Sequence, residues 1–170
     1  RLMAGVQGAF PTQGRRVVCV FGANVDKQLA PMIETCCRHA TRLVFVQSSH
    51  PAAASAADLK ELAVAAAAAG HEAAENGAAR GGCESVATAP SIAAGLDLAL
   101  AELDPSKGEL VVVCGSFYVV AAAREAIARA HPSCFAQGDP VFRAGELKPH
   151  GLGQWLGLGG RWRKWHRTGF

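Results

Sequence analysis

The stretch "GELVVVCGSFYVVAAAREAIARA", residues 108–130, decides the fold class of this chain. An apolar run leads through Cys114 into a Gly-Ser pair, and a helical pattern starts at Phe117. Gly115 allows the sharp turn from strand to helix, and Ser116 is a favoured N-cap. A helix N-terminus also presents N–H groups that can hold a carboxylate or a phosphate. The junction is therefore interpreted as a helix cap, as an anion site, or as both.

Strand-like and helix-like segments alternate along the rest of the chain. The strand-like runs are 16–22, 42–49, 84–88 and 110–114. The helical patterns are 26–40, 55–70, 90–103 and from 117 onward. This alternation predicts an α/β fold, a three-layer Rossmann-like domain with a mostly parallel sheet. Ligands of such sheets bind at the carboxyl ends of the strands. That rule directs attention to three loops, which are 22–27, 48–55 and 114–117.

Local signals also predict the limits of the second helix and support the third helix. Ser55 is expected to cap the second helix and Gly70 to end it. For the third helix, Pro90 near its start and a stripe of three leucines support the helical assignment, and the leucines are Leu96, Leu100 and Leu103.

With 170 residues the chain is long enough for one ordinary domain. We predict a leader or a remnant of an interdomain linker over 1–15, the α/β domain over 16–131, and a poorly ordered Gly/Trp/Arg-rich tail over 132–170. Residues 1–140 hold 11 basic and 13 acidic residues, whereas 141–170 hold six basic and one acidic. The main body is therefore not expected to bind nucleic acid. No apolar run approaches the roughly 20 residues of a transmembrane helix.

The six cysteines form no C-x-x-C pair, and they lie at positions 19, 36, 37, 83, 114 and 134. Cys19 and Cys114 fall within strand-like runs, where a thiol behaves as a small hydrophobic side chain. We expect a reduced intracellular protein with no disulfide framework and no metal site.

The two other loops carry weak signals on their own. The first has one glycine, so it matches neither the dinucleotide fingerprint nor the phosphate loop. Asp26 and Lys27 are expected at the start of the helix that follows, where an acid is favourable. His50 follows two serines at a strand end, but no G-x-S-x-G elbow surrounds it. Ordinary loop chemistry accounts for these residues without a functional role.

Three segments in order resemble the C-terminal domain of the folylpolyglutamate synthase / dihydrofolate synthase family, within the Mur-ligase superfamily. They are "VVCVFGANVDKQLAPMI" (17–33), "LVFVQSSHPAAAS" (43–55) and "ELVVVCGSFYVVAAAREAI" (109–127). Each segment shares one feature with the family, and the features occur in the same order. They are a strand ending in Gly before Asp-Lys, a strand leading to His-Pro, and a strand ending in Gly-Ser-aromatic. The resemblance covers roughly residues 16–130.

The resemblance implies an ATP-dependent folate:glutamate amide ligase that uses ATP and Mg²⁺ to form an acyl phosphate, which the amino group of glutamate then attacks. Gly115 and Ser116 would meet a glutamate carboxylate, and Asp26, Lys27 and His50 would line the interdomain cleft. The partners it implies are an upstream nucleotide-binding domain of the same polypeptide, glutamate, and a folate or pteroate. The cofactors would be bound mainly by that upstream domain, with no catalytic residue and no cofactor on this chain alone. Independently of the resemblance, we expect an intracellular and cytoplasmic location, with a mitochondrion or plastid as alternatives.

The sequence departs from the family pattern in several places. Ala52 and Ala53 stand where an arginine usually follows His-Pro, and Gln28 replaces a second acid. The phosphate loop, the metal ligands and the Asp-Gly-Ala-His-Asn-Pro linker do not occur. We therefore expect a fragment or a decayed copy that is inactive alone. The alternatives are a non-catalytic Rossmann-like anion-binding module, or an interaction domain whose basic aromatic tail meets RNA or a membrane.

Overall fold

The computed structural model describes residues 14–73 and 83–131. Most of the predicted leader, part of the predicted loop over 70–83 and the whole predicted tail lie outside the described residues. The domain limits proposed above therefore stay predictions.

Strands and helices alternate through the described residues, as the sequence predicts. The strands are β1 (Val17–Gly22), β2 (Arg42–Phe45), β3 (Ser85–Thr88) and β4 (Leu110–Gly115). The helices are α1 (Leu29–His39), α2 (Ala56–Ala73), α3 (Ile92–Ala101) and α4 (Phe117–Ala130). All strand pairs are parallel, which confirms the α/β class and the Rossmann-like parallel sheet.

The order of the strands in the sheet is β3-β2-β1-β4. The chain builds outward from β1 to β3 and then returns to the other side of β1 to form β4. The strand order thus reverses between β1 and β4, and crevices at such reversals are the usual ligand sites of open parallel sheets. The two strands end in register, with Gly22 opposite Gly115.

Two apolar clusters cover the two faces of the sheet. On one face Cys19 and Phe21 of β1 pack with Ile33 of α1 and Leu59 of α2. The opposite cluster takes the alternate β1 side chains together with residues of α3 and α4, and includes Val18, Val20, Val44, Val46, Leu96 and Val119. Because both faces are covered, the central strand β1 is buried along its whole length, which explains its continuous apolar sequence.

Several predicted limits differ from the structure. Helix α1 begins at Leu29, and Asp26 and Lys27 lie in the turn before it. Ser55 does cap α2, since its Oγ accepts a hydrogen bond from Asp58 N–H at 3.0 Å. The prediction that Gly70 ends α2 is wrong, because the helix runs on to Ala73. A single interior glycine costs a helix only about 1 kcal/mol, which is too little to stop it.

Strand β2 ends at Phe45, four residues earlier than predicted. Phe45 is the last residue of β2 with partners in both neighbouring strands, Phe21 and Thr88. Beyond it the chain leaves the sheet, and only the Val46 N–H still donates to the Phe21 carbonyl, at 2.9 Å.

The helix that the leucine stripe supports is confirmed as α3, but the stripe does not coincide with the buried face of the helix. Leu96 is buried, but Leu100 is 46% exposed. The buried face instead consists of Ile92, Gly95, Leu96 and Ala99. A Cβ on Gly95 would lie 2.6 Å from Cγ1 of Val46, so the missing side chain allows α3 to lie close to the sheet. Close approach at a small residue, rather than leucine content, sets the orientation of this helix.

Within the described residues, the structure has no helix of the length and apolarity that a membrane span requires.

Candidate functional site

The three loops singled out in the sequence meet at the carboxyl edge of the sheet. The Ser116 N–H donates to the Gly22 carbonyl at 2.7 Å, which joins the loop after β4 to the end of β1. The Val25 N–H donates to the Ala52 carbonyl at 2.9 Å, which joins the loop after β1 to the loop after β2. The prediction that these loops form one edge is therefore confirmed by direct hydrogen bonds.

Gly115 is the pivot of the junction between β4 and α4. Its φ of +107° lies in a region that L side chains rarely adopt. A Cβ at this position would lie 2.4 Å from the Gly22 carbonyl oxygen. The turn and the close backbone approach both require glycine here, as the sequence indicated.

Ser116 is the N-cap of α4, as predicted. Its Oγ accepts a hydrogen bond from the Tyr118 N–H at 3.2 Å, and its carbonyl accepts from the N–H groups of Val119 and Val120, both at 3.1 Å. The serine hydroxyl thus stands at the positive end of the helix dipole, with its own O–H hydrogen able to point away from the helix. This is a chemical environment in which a carboxylate is stabilised.

His50 is brought beside this helix terminus. Its ring lies against that of Tyr118, with ring centroids 4.5 Å apart and a tilt of 41°. The Nδ1 atom accepts a hydrogen bond from the Ala52 N–H at 3.1 Å, which places the proton of a neutral imidazole on Nε2. His50 is therefore held in a fixed orientation next to the first turn of α4.

Asp26 and Lys27 lie in the loop after β1, at the same edge, and their side chains are exposed to solvent. Lys27 Nζ is 3.1 Å from Asp26 Oδ2, and both side chains are more than half exposed. An exposed pair of this kind adds little to stability. The structure therefore does not support the expectation that Asp26 lies at the helix N-terminus, since α1 has no acidic residue in its first turn.

Two residues of the site were not predicted. Tyr118 is the only tyrosine of the chain, and its place directly after Gly-Ser-Phe was the available signal. Asn24 lies in the first loop, and its side-chain Oδ1 is buried with no hydrogen-bond partner among the described residues. A buried acceptor left unpaired costs roughly 1–3 kcal/mol. The polar groups of this loop are thus not fully satisfied by the described residues, and nothing in the sequence pattern signalled it.

Large apolar side chains are exposed next to these polar groups. Val25 in the first loop is 62% exposed, and Phe117 at the start of α4 is 53% exposed. Both residues lie at the carboxyl edge of the sheet, the same edge that carries Ser116 and His50. The edge thus combines a capped helix terminus, a fixed imidazole and two exposed apolar side chains.

Comparison with known proteins finds no matching family profile and no significant match among curated proteins. Among solved structures, Escherichia coli FolC in complex with DHPP and ADP matches with a TM-score of 0.58 and 24% identity, over 76% of this chain and 26% of that one. FolC with ADP and without folate substrate matches with a TM-score of 0.57 at 24% identity, over 77% and 26% of the two chains. A folylpolyglutamate synthase of Mycobacterium tuberculosis complexed with ADP reaches a TM-score of 0.47 at 19% identity, over 82% and 29%.

These matches establish the fold. The chain has the architecture of part of FolC, as the sequence resemblance implied. It spans about a quarter of the length of the FolC chains that it matches.

Proposed function

We propose that this chain is the C-terminal, glutamate-binding domain of an ATP-dependent folate:glutamate amide ligase. The observation that carries the proposal is the junction of β1 and β4, where the Gly115-Ser116 turn packs on Gly22 at the reversal of the strand order. Two independent lines support it: the motif resemblance in three ordered segments, and a fold shared with part of FolC.

The chemistry of the turn suits one carboxylate of glutamate. The N-terminus of α4 supplies a partial positive charge, and the Ser116 hydroxyl can donate its hydrogen to a carboxylate oxygen. Charge-assisted hydrogen bonds of this type are the stronger ones. In a ligase the amino group of glutamate must reach the acyl phosphate in the correct orientation. The contribution of this domain would be to hold the nucleophile in place, which lowers the entropic part of the barrier.

The other residues of the edge would face the rest of the enzyme. His50 would lie in the cleft beside the helix terminus, and Asp26 and Lys27 would line its outer part. The exposed side chains of Val25 and Phe117 support a second domain docking on this edge, because docking would cover them.

The nucleotide and metal would be bound elsewhere. The 170 residues contain no Gly-Lys-Ser/Thr loop, and we therefore assign no nucleotide-binding role to residues of this chain. The two matched FolC structures contain ADP, which is a ligand of FolC and is not assigned to the present chain. In the proposed enzyme, ATP and Mg²⁺ would activate the folate or pteroate carboxylate on the upstream domain. No step of that activation is assigned to residues of this chain.

A chimaeric enzyme tests the proposal. Residues 14–131 would replace the matching quarter of E. coli FolC, and the purified chimaera would be assayed for ATP-dependent addition of labelled glutamate to a pteroate substrate. A FolC variant that lacks the exchanged quarter is the negative control. We expect measurable ligation by the chimaera and none by the control. A folded chimaera that binds ADP but adds no glutamate would contradict the proposed function and favour a non-catalytic binding module.

A further inference from the structure

Three cysteines from three separate elements meet on the α1 side of the sheet. Cys19 comes from the middle of β1, Cys114 from the end of β4 and Cys36 from the last part of α1. Their sulfur atoms all lie within 4.8 Å of one another, and the Cys19 and Cys114 sulfurs are 3.5 Å apart. We call these three residues the thiol triad. All three are buried, with exposures of 0%, 5% and 6% for Cys19, Cys36 and Cys114.

The spacing of the thiol triad suits a single metal ion. Metal–thiolate bonds are about 2.3 Å long, so three sulfurs arranged in a plane around one ion are about 4 Å apart. The Cys19 and Cys114 sulfurs are 3.5 Å apart, and no separation within the triad exceeds 4.8 Å. Each would have to change by less than about 1 Å, which side-chain rotation can provide.

The ligand set and its surroundings select the kind of ion. Thiolates are soft ligands that favour Cu(I), Zn²⁺ and iron–sulfur clusters. Structural zinc almost always takes four ligands, and catalytic zinc keeps an open position for water. Within the described residues the triad offers three ligand atoms, and its neighbours in the same cluster are apolar, with Phe21 and Ile33 among them. A dry, three-sulfur site fits the low coordination number of Cu(I) better than either zinc geometry.

The geometry points to a three-coordinate Cu(I) site formed by Cys19, Cys36 and Cys114. On binding, the sulfurs lose their thiol protons to solvent as they become ligands, and copper stays in the +1 state, so no electron is transferred. The site lies among core side chains of the fold, and it uses none of the residues of the proposed glutamate site, although Cys114 directly precedes the Gly115-Ser116 turn. Binding would tie α1 to the two strands β1 and β4.

Competition with a chelator tests this site in the full chain. The remaining cysteines would be replaced first, giving a Cys37→Ala/Cys83→Ala/Cys134→Ala protein that keeps the triad. Cu(I) would be added without oxygen in the presence of excess bicinchoninate. We expect one equivalent of Cu(I) per chain, and X-ray absorption should show about three Cu–S bonds near 2.3 Å with no nitrogen or oxygen ligand.

Cysteine variants distinguish Cu(I) binding by the thiol triad from Cu(I) binding by other cysteines of the chain. In the same background, Cys36→Ala should weaken Cu(I) binding at least 100-fold. Cys37→Ala in the otherwise unchanged chain is the matched control, since it alters the next residue of α1. This variant should still bind one equivalent of Cu(I) in competition with bicinchoninate. Copper should also raise the melting temperature of the triad-only protein, which requires no triad variant to fold. Equal Cu(I) affinity with and without Cys36, nitrogen or oxygen ligands on the copper, or Zn²⁺ displacing Cu(I) from the triad would each overturn the assignment.

Discussion

Gly115 shows how one residue links local backbone geometry to the site. Its positive φ turns the chain from β4 into α4, and its missing side chain lets the Gly22 carbonyl approach. That approach allows the hydrogen bond from the Ser116 N–H to the same carbonyl. The position of the helix cap therefore depends on glycine at the preceding residue.

Replacing Gly115 should lower the free energy of unfolding. A second glycine with a positive φ separates the contribution of the steric clash from that of the backbone strain. Gly115→Ala combines backbone strain with a steric clash, and we expect a loss of at least about 3 kcal/mol in the free energy of unfolding. Gly14 also has a positive φ, but nothing lies within 4 Å of its added Cβ. Gly14→Ala should therefore cost only the strain, about 1–2 kcal/mol. Urea denaturation measures both, and equal losses would show that the contact with Gly22 is unimportant.

Cys83 is expected to be the reactive thiol among the partly exposed cysteines of the described residues, since Cys36, whose pKa is also lowered, is buried. A hydrogen bond from the Cys37 thiol lowers the pKa of Cys83 from its usual 9.0 to about 7. Since the thiolate is the nucleophile, alkylation of Cys83 by iodoacetamide should reach half of its maximal rate near pH 7. In Cys37→Ala the midpoint should move up toward pH 9. A parent midpoint already near pH 9, measured by peptide mass spectrometry, would contradict the proposed hydrogen bond.

At the scale of elements, the sequence predicts where strands and helices occur better than where they end. Ser55 and Ser116 were recognised as caps because a hydroxyl before a helical pattern has one dominant local role. The predicted end of α2 at Gly70 is wrong because glycine also occurs within helices when the rest of the segment favours the helix. The start of α1 was misplaced because the turn that contains Asp26 is stabilised by the Ala52 carbonyl, which belongs to another loop.

The orientation of α3 could not be predicted, for a similar reason. It depends on the contact of Gly95 with Val46, which a helical periodicity does not reveal. The thiol triad was also beyond prediction, because its members lie on three elements and no spacing in the chain connects them. Local signals, and the shared edge that parallel-sheet topology gives to the three loops, are thus recoverable from the sequence, whereas individual side-chain contacts between distant segments are not.

Two leucines of α3 test the orientation of this helix. Leu96 is 3% exposed and Leu100 is 46% exposed. Leu96→Ala should lower the free energy of unfolding by about 2–5 kcal/mol, because it removes buried contacts and leaves a cavity. Leu100→Ala should change it by less than about 1 kcal/mol. Similar losses of stability for the two variants in chemical denaturation would contradict this orientation of α3.

At the scale of the whole molecule, the central position of β1 should govern local stability. β1 is paired on both sides and covered on both faces, whereas β3 is half-exposed and pairs with β2 alone among the described strands. Amide exchange of Cys19, Val20 and Phe21 should therefore require near-global unfolding. The amides of β3 should exchange at least tenfold faster in a native-state NMR experiment. Comparable protection of both strands would contradict the observed strand order.

A comparison of two serine caps of the same kind tests the glutamate site most directly. Ser91 caps α3 as Ser116 caps α4, since the Ser91 Oγ accepts from the Ala94 N–H at 3.1 Å. Each serine-to-alanine change should cost about 1 kcal/mol of stability. In the active chimaera, Ser116→Ala should raise the KM for glutamate about tenfold and leave the KM for ATP within twofold, because one charge-assisted hydrogen bond is lost. Ser91→Ala should change neither KM, and an unchanged glutamate KM in Ser116→Ala would contradict the assignment of the Gly115-Ser116 turn as the glutamate site.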